Sequence, residues 1–310
     1  MPQVSVIVPT LGRPALTLAL RGALRQRGVD VEVIVIDDGS GGRARVVVEQ
    51  IGDPRVRLLG HDGRRGPGAA RNTGVAAARG AWVAFLDDDD LWAPDKLARQ
   101  LDAARAAGRD WVYAGAVEVD DQHRVLHLEP PIAPAELIRQ LPRRNVVPAG
   151  ASNVMVRAAA LSATGAFDPS LRNTEDWDLF IRLARRGPPA GVRTPLVAVR
   201  LHPEQASLAT ARLLKELGAL ERRYGVRVDR PAIHRGAAWA CLRAGHRREA
   251  LAAYAHAVRA GDLGSLARAA VTLLPGGVRQ WVLRDRTVHR DGPGADLLSA
   301  QAWVDELVRG

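Results

Sequence analysis

One run constrains this chain more than any other: residues 80–97, reading G-A-W-V-A-F-L-D-D-D-D-L-W-A-P-D-K-L. Residues 82–86 are almost wholly apolar, the pattern of a strand covered on both faces, and they end abruptly in four carboxylates, Asp87, Asp88, Asp89 and Asp90. Pro94 stands where a helix opens, with Asp95 in its first turn, so the acids fall in a loop at the carboxyl end of a strand. Four adjacent carboxylates repel one another at neutral pH and call for a neutralising cation. Oxygen donors suit a hard divalent ion, Mg²⁺ or Mn²⁺; the competing reading is a solvated acidic loop. An EF-hand is excluded, because its alternating oxygen ligands, central glycine and final glutamate are missing.

The chain leading to this run alternates strands and helices. Residues 4–8 (V-S-V-I-V) form a β-branched run, and the turn Pro9-Thr10-Leu11-Gly12-Arg13-Pro14 closes with a proline suited to starting a helix. The helix predicted over 14–27 carries Leu16, Leu20 and Leu24 as one apolar stripe. A strand over 31–36 ends in Asp37-Asp38-Gly39-Ser40; a basic helix over 43–50, a strand over 56–59, a Gly-rich loop over 61–68 and a helix over 69–78 follow. Such alternation predicts a mainly parallel sheet with helices on both faces and ligands beyond the strands' carboxyl ends. Pro9-Thr10, Asp37-Asp38 and the aspartate run should therefore converge on one crevice. The Gly-rich loop matches neither a Walker A loop nor a dinucleotide fingerprint. It reads either as a flexible connection or, with Arg71-Asn72 in the helix behind it, as a route for a guanidinium to a phosphate or base carbonyl.

Beyond the aspartates, an amphipathic helix over 94–107 and a strand over 111–115 precede an apparent antiparallel hairpin, 117–119 with 125–128. Residues 130–134 break the chain, and 153–156 read as a further strand. The second chemical cluster is T-E-D-W-D-L-F-I-R-L from Thr174: an N-cap followed by Glu175, Asp176 and Asp178 in a first helical turn. These acids are either ordinary helix-start residues or include a carboxylate kept ionised as a base. A last strand over 196–201 leads to His202. From residue 208 the text turns to Ala, Leu and Arg in helical runs, and residues 232–260 resemble one tetratricopeptide-like helix pair, a single copy that fits an appendage better than an array. Trp281, Arg284, Arg286 and Trp303 mark an end that either packs as a terminal helix or touches a membrane surface.

Composition narrows the partners. With 310 residues, 47% apolar and 25% charged, the chain is an ordinary globular one long enough for about two domains. The formal net charge of +10 attracts anions, but aromatic content of 4% and the lack of a binding motif disfavour nucleic acid. A single cysteine, Cys241, excludes an internal disulfide and fits a reducing cytoplasm; neither a secretory signal nor a membrane-spanning run is expected.

In order, V-S-V-I-V-P-T, V-I-D-D-G-S, G-A-A-R-N-T-G, F-L-D-D-D-D-L-W-A-P-D-K-L, G-A-F-D and E-D-W-D-L-F-I-R-L resemble the motifs of the inverting family 2 glycosyltransferases over roughly residues 3–207. The resemblance implies the GT-A fold, an α/β architecture with a Rossmann-like mixed sheet flanked by helices, here with a C-terminal helical extension. It implies a nucleotide-sugar-binding half over 1–115, an acceptor and catalytic-base half over 116–207, and a helical region over 208–310. The donor would be a nucleotide diphosphate sugar, foremost a UDP-sugar, bound with Mn²⁺ or Mg²⁺. Pro9, Thr10 and Leu11 would line the nucleoside pocket with Arg13 nearby, although Leu11 stands where many relatives carry an aromatic. Asp38 would accept from the base, Arg71 would lie near base or phosphates, and Asp87 and Asp88 would approach the ribose and sugar. Asp89, last residue of the D-x-D signature, would hold the metal, with Asp87 and His202 as further ligand candidates. Asp176 matches the general base. A glycan, lipid-linked carrier, small metabolite or peptide would serve as acceptor, and a cytoplasmic enzyme, peripheral at the inner membrane face, is the expected setting. Two alternatives remain at this level, a nucleotidyltransferase and a non-catalytic binding module that uses the helical tail.

Overall fold

A computed structural model describes residues 1–200, 211–243, 245–274 and 293–310. In chain order the elements are β1 (Val4–Thr10), α1 (Leu16–Leu24), β2 (Val31–Asp37), α2 (Arg43–Ile51), β3 (Val56–Gly60), α3 (Pro67–Ala77), β4 (Trp82–Phe85), β5 (Leu91–Trp92), α4 (Lys96–Ala107), β6 (Trp111–Val119) and β7 (Val125–Glu129). Then follow α5 (Pro134–Gln140), a 3₁₀ turn (Gly150–Asn153), β8 (Met155–Arg157), α6 (Ala158–Thr164), α7 (Glu175–Arg186), β9 (Ala190–Arg200), α8 (Ala211–Tyr224), α9 (Arg230–Arg243), α10 (Arg247–Arg259), α11 (Gly264–Leu273) and α12 (Pro293–Arg309).

The strands join one sheet in the order β3-β2-β1-β4-β8-β6-β9-β5, with β7 paired to β6. β3, β2, β1 and β4 are parallel, and β8 runs antiparallel between β4 and β6, so the sheet is mixed. Alternation along β1 sorts its side chains between two layers: Ile7 joins a core with α3, α7 and α8, whereas Val6 and Val8 join one with α1 and α4. Both faces are covered, which is why these strands read as continuous apolar runs. A third cluster packs Ala300, Trp303, Val304 and Leu307 of α12 against Leu91, Ala93, Leu196 and Ala198, so the terminal helix docks on the sheet. In α9 and α10, small residues (Ala237, Ala238, Ala253) let the two helices approach around Tyr254.

Several elements differ from the sequence reading. Residues 111–119 are one strand, because Gly115 absorbs a register shift opposite Pro195 of β9, and β7 pairs with its second half as the predicted hairpin. Asn153 belongs to the 3₁₀ turn: its side chain bonds Ala114 N–H and the carbonyls of Ala114 and Pro148, tying the turn to β6. Pro134, read as part of a breaker, opens α5. Thr174 precedes α7 but does not cap it with its side chain, since its hydroxyl donates to Glu216 of α8 at 3.2 Å. His202, Trp281, Arg284 and Arg286 lie outside the described residues. Among the described residues no helix is long and apolar enough to cross a membrane.

Candidate active site

Parallel pairing sets Thr10 beside Asp37 and Ile7 beside Phe85, so the segments leaving β1, β2 and β4 share one edge. They border a crevice of about 480 Å³. Pro9, Thr10, Leu11, Arg13, Asp38, Arg71, Asp87, Asp88 and Asp89, all expected at a donor site, line it together with Arg64, Pro67, Ala70 and Glu175.

Each acid has its own environment. Asp38 is buried; its Oδ1 lies 2.8 Å from His61 Nδ1 and accepts the Arg65 N–H at 2.8 Å, while Oδ2 accepts the Gly66 N–H at 2.7 Å. Burial pushes this carboxyl up, but the three bonds outweigh it and hold Asp38 below its ordinary value. The Gly-rich loop is thereby fastened to β2 rather than left as a loose connection. Gly66 is required there: its φ is +93°, and a Cβ would fall 1.3 Å from an Arg172 guanidinium nitrogen.

Asp88 accepts from Thr10 Oγ1 at 2.5 Å and Arg13 Nη1 at 2.7 Å, and Arg13 also reaches Asp89 at 3.1 Å. Burial, reinforced by Asp89 and opposed by Thr10 and Arg13, raises the Asp88 carboxyl. Asp90 turns inward at 4% exposure, one oxygen lacking a partner among the described residues. Burial, then Asp89 and Asp87, raises it well above the usual range, against bonds from the Ser152 hydroxyl and the Arg200 N–H. Asp90 therefore braces β9, while Asp87, with its side chain 37% exposed, faces the crevice.

Arg71 joins the two acidic clusters. Its Nη2 donates to Asp87 at 2.6 Å and its Nη1 to Glu175 at 2.8 Å, so the end of β4 and the start of α7 meet across one buried guanidinium. Burial pulls Arg71 down, but Asp87 and Glu175 outweigh it and raise it. Consecutive residues on a helix point about 100° apart, and here that angle separates two cavities. Glu175 borders the crevice at the strand ends, whereas Asp176 borders a groove of about 900 Å³ between the 127–148 segment and α8–α9. Asp176 is half-buried, accepts the Trp177 N–H at 2.6 Å and lies 3.4 Å from Asn145 Nδ2. Burial, then Glu175, pushes its carboxyl up to about 7, opposed by Arg71 and the Trp177 N–H. Gly150 backs it closely, for a Cβ there would stand 2.7 Å from Asp176 Oδ2.

A divalent ion fits the donor set in kind. The described residues gather no cluster of three ligating side chains, but Mg²⁺-type sites commonly take one or two carboxylates and complete their shell with phosphate oxygens and water. Asp87 and Asp89 are two crevice-lining carboxylates paired with Arg71 and Arg13, among neighbours whose carboxyls are already pushed up.

Residues 5–164 match the profile described as "Glycosyl transferase family 2". The chain belongs to that family. This sets the nucleotidyltransferase alternative aside. It is 44% identical over 140 residues to the succinoglycan biosynthesis protein ExoO of Rhizobium meliloti, a match spanning 45% of this chain and 39% of ExoO. It is 34% identical over 99 residues to the Escherichia coli UDP-Glc:alpha-D-GlcNAc-diphosphoundecaprenol beta-1,3-glucosyltransferase WfgD, spanning 32% of this chain and 39% of that one. Among solved structures, the mannosyltransferase PcManGT from Pyrobaculum calidifontis, in complex with GDP-Man and Mn²⁺, superposes with a TM-score of 0.56 at 21% identity, over 99% of this chain and 86% of that one. At that identity the likeness is one of fold, and the fold is GT-A.

For this family 2 member the sequence reading missed His61, Asn145, Gly150 and Ser152. His61 sits between Asp38 and Thr73, and Ser152 accepts the Asp87 N–H at 3.0 Å. None carries a local signature, since each acts on a residue 23 or more positions away, apart from the His61–Thr73 contact.

Proposed function

We propose that this family 2 protein moves a sugar from a nucleotide diphosphate sugar to an acceptor hydroxyl by a metal-dependent single displacement that inverts the anomeric centre. The observation that carries the reading is the division of labour at the start of α7. Glu175 reaches through Arg71 to the aspartate run on the donor side, and its neighbour Asp176 opens onto the larger groove. A donor in the crevice and an acceptor in the groove would meet at the Asp176 carboxylate.

In that arrangement Asp38, Thr10 and Leu11 bind the nucleoside end. Asp87 and Asp89 would hold Mn²⁺ or Mg²⁺, which when bound supplies Lewis-acid neutralisation of the charge developing on the diphosphate. Arg71, fixed between Asp87 and Glu175, keeps a positive charge on the donor side of the reacting carbon. Asp176 takes the proton as the acceptor oxygen attacks; the new C–O bond forms opposite the breaking one, and the electron pair leaves with the diphosphate. A UDP-sugar is the first donor to test, in view of WfgD's name, and a GDP-sugar the second, in view of PcManGT's ligand.

The test is calorimetric titration of UDP and GDP with and without Mn²⁺, alongside turnover on a donor panel. Asp89→Ala should lose the Mn²⁺-dependent gain in affinity, while Asp176→Asn should keep it and lose transfer. Unaltered Mn²⁺-dependent affinity in Asp89→Ala would remove Asp89 as a ligand. Persisting transfer in Asp176→Asn would remove Asp176 as the base.

A further inference from the structure

Resting on the transfer reaction proposed above, we infer that Lys96 and Gln100, which border neither the crevice nor the groove, are positioning residues that seat Asp87 and Asp176 through one shared turn. The two lie one turn apart on α4, and both are 0% exposed. A buried lysine normally needs a carboxylate, and among the described residues Lys96 has none; burial alone pushes its amine well below the ordinary range. Its Nζ donates to Gln100 Oε1 at 2.8 Å and stands 4.0 Å from the centre of the Trp92 ring. An apolar chain of similar length would avoid the cost of burying an amine, so the bond to Gln100 is what the lysine contributes.

That bond fixes the direction of an amide. A lysine nitrogen, charged or neutral, has a hydrogen to donate, so the Gln100 oxygen faces it and Nε2 faces the 3₁₀ turn, where it donates to the Asn153 carbonyl at 2.7 Å. Trp92, whose ring the lysine covers, donates Nε1 to the Ser152 carbonyl at 2.8 Å. Two successive carbonyls of the turn are thus held from α4 and β5. The turn needs that restraint: Ala149 enters it at φ +56° and Gly150 follows at +50°, and a residue other than glycine stays in the left-handed region only where its surroundings fix it. Gly150 backs Asp176, since a Cβ there would stand 2.7 Å from Oδ2. Two residues on, Ser152 Oγ accepts the Asp87 N–H at 3.0 Å and bonds the Asp90 carboxyl. One short turn therefore touches the proposed base on one side and the aspartate run on the other, and a slip of the turn displaces both.

The decisive comparison sets Gln100→Met and Lys96→Met against Gln26→Met. Gln26 is also buried, but it bonds the Gly22 and Ala93 carbonyls and the Leu97 N–H and no residue of the turn, so its loss is a matching structural defect. Gln100→Met and Gln26→Met should lower the melting temperature alike, whereas Lys96→Met, which exchanges a buried amine for an apolar chain, should melt close to the wild type. Only the two α4 variants should show faster hydrogen exchange from Val147 to Val154, a kcat about tenfold or more lower, and nucleotide affinity in Mn²⁺ weakened about threefold or more. In them the acid limb of kcat/KM should also move down by about one pH unit, because water reaches Asp176 once the turn loosens. A limb that stays in place in both α4 variants, or that moves equally in Gln26→Met, would overturn the inference while leaving the transferase reading intact. Unchanged exchange across the turn in both would overturn it as well. A wild-type protein that transfers sugar from no donor would instead strike the transferase reading.

Discussion

As the proposed base, Asp176 has two opposing requirements: shelter from water, and enough ionisation to take a proton. Burial and Glu175 raise its carboxyl to about 7, so the acidic limb of kcat/KM should fall near pH 7, with activity rising as Asp176 ionises. Asn145 lies 3.4 Å from it, and Asn145→Asp would bring a second carboxylate to the same spot. That limb should then move up by about one pH unit or more, read from a kcat/KM profile with a saturating second substrate. Stability follows with the opposite benefit. A folded pKa of about 7 against 3.8 for an ordinary aspartate means that the folded protein holds a proton the unfolded chain has released. Stability is therefore lost as pH rises from about 4 to about 7 and the loss then levels off. Asp176→Asn should melt higher than the parent at pH 8 and alike at pH 4; a difference that shrinks with rising pH would contradict the assignment. Asp89, Asp38 and Asp176 were legible as single residues because each follows a strand or opens a helix. The inward turn of Asp90 was not, since adjacent aspartates look alike until a core forms on one side of them.

At the scale of elements, α7 is held from behind by α8. Glu216 accepts from the Arg172 N–H at 3.1 Å, the Asn173 N–H at 2.9 Å and the Thr174 hydroxyl at 3.2 Å, the three residues that lead into Glu175 and Asp176. One turn further on, the buried Asp178 accepts from Arg223 at 2.7 Å and the Tyr224 hydroxyl at 2.5 Å. Glu216→Ala leaves the two backbone donors of this linker without their acceptor and should cost about 2–4 kcal/mol in urea unfolding. In the proposed mechanism the linker positions the base and not the donor, so kcat should fall further than donor affinity; a loss confined to donor affinity would show that Glu216 does not act through α7. The sequence pattern located α7 and its first-turn acids correctly. It also suggested a threonine cap, a local solution the protein replaces with a glutamate 42 residues away.

For the whole molecule, the decisive feature is that the last described helix, α12, returns to the sheet. α12 buries Trp303, Val304 and Leu307 beside Leu91 and Ala93, which directly follow the aspartate run. Trp303 is 9% exposed, and Trp303→Ala should cost about 3 kcal/mol or more by leaving a cavity under β5. Donor affinity should weaken with it, since β5 anchors the loop carrying Asp87 and Asp89; unchanged nucleotide affinity in a folded Trp303→Ala protein would separate the helix from the site. The helical tail thus contributes at two places, α8 and α9 along the groove and α12 behind the aspartates.

The sequence by itself determined the alternation of strands and helices, and with it the edge where ligands gather, because parallel strands ending in turn residues and acids put those groups on one side. It also pointed to Pro9, Thr10, Leu11, Arg13, Asp38 and Asp87 to Asp89 in the crevice, since they lie at or just past strand ends, but not to Arg64, Pro67, Ala70 or Glu175. Only the tertiary structure decided which carboxylates face inward, that Arg71 spans both clusters, and that Glu175 and Asp176 open onto different cavities. Those outcomes depend on contacts between residues up to 104 positions apart, and burial and partner choice at that range follow from the sheet order β1-β4-β8-β6, which no local pattern encodes.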